Sequence, residues 1–91
     1  MNITKDLTEK VRTIVNKHDQ IKLLKIGCPL DEYDPEIKKI LPALKKVTNL
    51  KEFQKKVYHI FVEMFDKRIA GPKRNYEELG REIFGLKKIK L

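Results

Sequence analysis

The chain has one cysteine, Cys28, in 91 residues. It cannot form an internal disulfide, which agrees with a reducing compartment. No apolar run approaches the roughly 20 residues needed to cross a bilayer. Met1 to Asn16 also lacks the continuous apolar segment and small-residue cleavage site of a signal peptide, so the expected location is cytoplasmic. Metal ligands are scarce. His18, His59 and Cys28 are widely separated, which matches neither a metal-binding spacing nor a nucleophile beside its base, and no metal or cofactor is expected. The four glycines, Gly27, Gly71, Gly80 and Gly85, are isolated, so there is no phosphate-cradling loop. Strand alternation, internal repeats and low-complexity tracts are missing as well. Catalytic constellations are therefore the weakest candidates for this chain.

Charge is plentiful. Twenty-one basic residues face 13 acidic ones, for a net charge of +8. That excess points to an acidic partner: nucleic acid, anionic lipid or an acidic protein. Only Arg12, Arg68, Arg74 and Arg81 carry the planar fork favoured in base and phosphate recognition; the other basic residues are lysines. At this length one domain, residues 1–91, is expected, with a single core that must use nearly every apolar face.

The apolar residues recur at helical spacing. Ile3, Leu7, Val11, Ile14 and Val15 predict a first helix over residues 4 to 17, capped by Thr4. From His18 to Tyr33 the pattern loosens into a long connection, and loops of this size are usually functional or packed by their own side chains. A second helix is announced by Asp34 as cap, Pro35 at the first helical position and Glu36 at the positive helix end. Ile37, Ile40, Leu41 and Leu44 form its buried stripe, and Pro42 predicts a kink or an early end. Thr48 or Asn49 starts a third helix, the Asn49 option bringing Glu52 into the capping-box position, and its stripe Leu50, Phe53, Val57, Ile60, Phe61 and Met64 should be central. Ala70-Gly71-Pro72 ends it, and Asn75 followed by Glu78 starts a fourth helix with Tyr76, Leu79, Ile83 and Leu86 inside. The expected fold is all-α: a small four-helix antiparallel bundle with a long first connection.

The densest chemistry lies in Gly27-Cys28-Pro29-Leu30-Asp31-Glu32-Tyr33-Asp34-Pro35-Glu36. Capping and the helix dipole account for Asp34 and Glu36, but not for Asp31, Glu32 and Tyr33. With Asn16-Lys17-His18-Asp19-Gln20-Ile21 before it and Val57-Tyr58-His59-Ile60-Phe61 after it, this segment resembles a family of small helical bacterial proteins classed only as a domain of unknown function. Its pattern is Asn-x-Trp-Asp-Pro, Gly-x-Pro-x-Asp-Glu-Tyr and an Ile-Tyr-x-Ile-Phe-like helix. Asp19, Gly27, Pro29, Asp31, Glu32 and Tyr33 match, while His18 and Gln20 replace the Trp and the Pro. The resemblance implies a compact helical fold and a shared loop surface, and no reaction, substrate or cofactor.

Those six residues are accordingly the candidate binding surface of a non-enzymatic, cytoplasmic protein-interaction module. An adaptor, a regulator or an immunity-like protein would fit that description, and its protein partner is unidentified. The alternative is a basic helical nucleic-acid-binding protein using Lys38, Lys39, Lys45, Lys46, Lys51, Lys55 and Lys56. An enzyme built on the Asp31 and Glu32 carboxylates comes third.

Overall fold

The computed structural model describes residues 5–29 and 31–88. It contains α1 (Lys5–His18), α2 (Asp34–Lys46), α3 (Leu50–Phe65), α4 (Lys67–Ala70) and α5 (Glu77–Gly85), with 3-10 turns at Lys73–Tyr76 and Leu86–Lys88. The protein is all-helical, and no strand occurs among the described residues. The expected cap Thr4 lies outside them, as do Ile89 and Leu91. Among the described residues no helix is long and apolar enough to cross a membrane.

Helix α3 is the centre of the packing: it touches α2, α4 and α5, while α1 lies against α2 and α5. Its start is local chemistry, since the Asn49 side chain accepts a hydrogen bond from the Glu52 amide at 3.2 Å. Its stripe Phe53, Val57, Ile60 and Phe61 is buried, joined by Leu7, Val11 and Val15 from α1 and Ile37, Ile40 and Leu44 from α2. Met64, expected inside, is exposed. Each large apolar side chain removed from water contributes about 1.5–3 kcal/mol. At the middle of the core the Phe61 ring meets Tyr76 at 5.1 Å and Tyr33 and Phe65 at 6.0 Å.

Three boundaries differ from the sequence expectation. Helix α2 continues through Pro42 and ends at Lys46. Proline removes the hydrogen bond to the Lys38 carbonyl, but buried residues on both sides of it, Ile37, Ile40, Leu41 and Leu44, hold the helix to the core. Helix α3 stops at Phe65 rather than at Gly71, because Asp66 adopts φ 81°. The Asp66 carboxylate then accepts from the Ile69 amide at 2.9 Å and starts the short α4. The last helix begins as a 3-10 turn at Lys73–Tyr76, so Asn75 lies inside that turn instead of capping a helix. Gly80 has a packing reason: a Cβ there would lie 2.7 Å from Gln54 Cγ, so α5 approaches α3 as closely as glycine allows.

Candidate functional site

The loop between α1 and α2 is built around Asp19. Its amide still closes the last turn of α1 by donating to the Val15 carbonyl at 2.9 Å, but its φ of 43° turns the chain away from the helix. Lys22, at φ 63°, continues the winding. Asp tolerates this left-handed region better than most residues, because its short side chain bonds locally. Here the Asp19 carboxylate accepts from the Leu24 amide at 3.0 Å, from the Lys25 amide at 3.0 Å and from the Tyr33 hydroxyl at 2.6 Å. The Tyr33 oxygen in turn accepts a longer contact from the Ile21 amide at 3.3 Å. The Tyr33 ring is fully buried against Phe61. One carboxylate and one phenol thus fasten both ends of the loop to each other and to the core.

The electrostatics agree with that role. Partial burial pulls the Asp19 carboxyl upward, but the hydrogen bonds from Tyr33, Leu24 and Lys25 outweigh it and hold the group below its usual value. Burial, then the bond to Asp19, pushes the Tyr33 phenol well up, so it remains a proton donor throughout the physiological range. Past the clasp, the Gly27 amide donates to the Leu24 carbonyl and the Cys28 amide to the Leu23 carbonyl, each at 3.0 Å. The wider closure, from the Cys28 amide to the Leu23 carbonyl, requires φ 97° at Gly27, where a side chain would be strained.

The start of α2 is arranged differently from expectation. Tyr33 occupies the cap position and no side chain caps the helix. Asp34 faces α1 instead, where Arg12 donates to both its oxygens at 2.9 and 2.8 Å. Glu36, assigned from the sequence to the positive helix end, is 2% exposed, and its Oε1 has no hydrogen-bond partner. Burial first, then the nearby Glu32 and Asp34 carboxylates, push its pKa up to about 7. A signal for this existed, since Glu36 stands one helical turn before the buried Ile40.

The six matched residues therefore divide. Asp19 and Tyr33 meet inside the loop, whereas Gly27, Pro29, Asp31 and Glu32 are exposed on its outside. Ile26 is 74% exposed beside them. Elsewhere, Glu82 of α5 joins the end of α1 through Lys17 and His18, each at 2.5 Å, and those two hydrogen bonds lower its pKa. The lysines of the nucleic-acid alternative are all exposed, and several line grooves beside α3. Among the described residues no three His, Cys, Asp or Glu side chains converge as metal ligands would. Comparison with known proteins gives no match, whether to a family model, a curated protein or a solved structure.

Proposed function

We propose that this chain is a non-enzymatic, cytoplasmic protein-interaction module that docks its partner on the outer surface of the loop spanning residues 19–33. The observation that carries this is Ile26, the most exposed large apolar side chain among the described residues, held out on a loop fastened from within. An apolar tip beside the free carboxylates Asp31 and Glu32 suits a protein surface with a small apolar pocket and a basic rim. The clasp lowers the ordering cost of binding, because the loop is shaped before the partner arrives.

Against an enzyme stands the disposition of the two groups best suited to proton transfer. Asp19 and Tyr33 are occupied with each other, and Glu36, whose pKa would suit a general acid, is sealed from solvent. The scaffold in this proposal is a four-helix antiparallel bundle of α1, α2, α3 and α5, with α4 an elaborated turn. Kinship with the bacterial family of unknown function, through the Gly27 to Tyr33 motif, belongs to the same proposal.

The test is a photo-crosslinking amino acid placed at position 26, compared with one at the exposed Arg68 on α4, in cells that express the protein. A discrete adduct from position 26 alone, lost on Asp31→Lys with Glu32→Lys, is the expected result. Identical adducts from both positions, or none from position 26, would remove the loop as the docking surface.

A further inference from the structure

Lys39, Pro42, Ala43 and Lys46 lie at successive helical spacings on α2, and Lys56, His59, Ile60 and Glu63 lie likewise on α3. The two stripes face each other across a surface groove of about 330 Å³, which Val47 also lines. Its apolar lining, the floor, consists of Pro42, Ala43, Val47 and Ile60. Its rim is positive. Among the described residues the ion pairs are Lys10–Asp6, Arg12–Asp34, Lys17–Glu82, His18–Glu82 and Arg81–Glu78, so Lys39, Lys46 and Lys56 face the groove with no carboxylate of their own. A second groove of about 430 Å³ shares Lys56 and His59 and extends the basic surface to Lys51, Lys55 and Lys73.

We infer that the α2–α3 groove is a second docking surface, distinct from the loop, and that its occupant is an acidic amphipathic helix of a protein partner. Charge complementarity selects the acidic rim of that helix, and the floor selects its apolar stripe. The stretch from Lys39 to Lys46 is about two helical turns long at roughly 1.5 Å per residue, enough for apolar anchors at i, i+3, i+4 and i+7. Glu63, on the same rim, favours one basic residue in an otherwise acidic partner.

Nucleic acid fits less well. Neither groove is lined by an arginine or by Phe, Tyr or Trp, His59 being the single ring in their lining, and the Glu52 and Glu63 carboxylates would repel phosphates. An apolar floor would also be left idle beneath a phosphate backbone.

The test uses a displayed library of helical peptides about three turns long, selected on the intact protein. Selected binders should carry Asp or Glu on both flanks of an apolar stripe. Their affinity should fall at least about tenfold on combined Lys39→Glu, Lys46→Glu and Lys56→Glu, a change of about 1.4 kcal/mol or more. Ala43→Glu, which alters the floor, should weaken them independently, while Ile26→Asp should leave them unchanged. That last variant separates this surface from the loop. Circular dichroism and thermal melting should show the reversal variant folded, since all three lysines are exposed. Selected peptides without the charge pattern, or binding equally to the reversal variant, would overturn the inference. So would displacement of the peptides by duplex or single-stranded DNA with a steep salt dependence, which would make the groove a nucleic-acid site.

Discussion

Removing the Tyr33 hydroxyl tests whether the loop is a fastened structure. Tyr33→Phe keeps the buried ring against Phe61 and deletes only the oxygen that donates to Asp19 at 2.6 Å. A hydrogen bond to a charged group is worth roughly 1.5–3 kcal/mol. Asp19 keeps its two amide donors and some access to water, so the expected loss lies near the lower bound, about 1.5 kcal/mol. Asp19→Ala should cost more. It leaves the buried hydroxyl without its acceptor, roughly 1–3 kcal/mol, and puts alanine at φ 43°, roughly 1–2 kcal/mol further. Asp19→Gly removes only the second part, so the difference between the two variants reads the backbone strain. The double variant Tyr33→Phe/Asp19→Ala should fall short of the sum of its parts by about 1 kcal/mol or more, because the two side chains share one bond. Urea unfolding measures these values, and the rate at which Cys28 reacts with a thiol reagent reports the loop alone. Faster labelling should accompany each loss. If Tyr33→Phe changed neither quantity, the loop would owe its shape to something other than this clasp.

Glu36→Gln should remove a pH dependence of opposite sign to that of ordinary carboxylates. The folded chain holds this proton up to about pH 7, whereas an unperturbed glutamate loses it near 4.5, so between those values wild-type stability should fall as pH rises, by at most about 1.4 kcal/mol per unit. Stability curves of the two proteins that stay parallel across this range would show Glu36 to be solvated. Phe61→Ala, at the junction of four aromatic rings, should cost about 3–5 kcal/mol in burial and cavity formation, and an unchanged melting temperature would contradict the core assignment. Gly80→Ala would gain about 1 kcal/mol of helix propensity in isolation. Against Gln54 it should instead lose stability, since overpacking costs typically 1–3 kcal/mol, and a stabilised variant would mean that α5 can retreat from α3 cheaply.

The helical class was legible because apolar periodicity is local and repeated. The Asn49 cap was legible for the same reason, its partner being the Glu52 amide three residues on. Asp34 was placed correctly at the start of α2 but given the wrong role, because Arg12 lies on another helix and nothing in the local sequence announces that pair. Pro42 suggested two outcomes, a kink or an early end, and the early end does not occur. Its local penalty is real, yet packing on both sides of it decides the outcome. The helix end at Asp66 carries neither glycine nor proline, so only its conformation reveals it. For the loop, the sequence motif brought Asp19 and Tyr33 together with their exposed neighbours. Which of them faces inward depends on Phe61, a residue of a different helix.

The adjacency of α1 and α5 bears on the order in which the chain acquires its structure. Helices α2 and α3 are joined by residues 47–49 alone and pack directly, so their association closes a short loop. Helix α1, by contrast, completes its contacts only when Glu82, far along the chain, comes to meet Lys17 and His18. Contacts of such separation form after the local ones, because their closure entropy is larger. During synthesis α1, with Leu7, Val11 and Val15 on its inner face, leaves the ribosome first; it can pack on α2 but is covered in full only once α5 has been made. Substitutions at those three positions should therefore speed unfolding and leave the folding rate nearly unchanged, whereas substitutions at Ile40 or Val57 should slow folding itself.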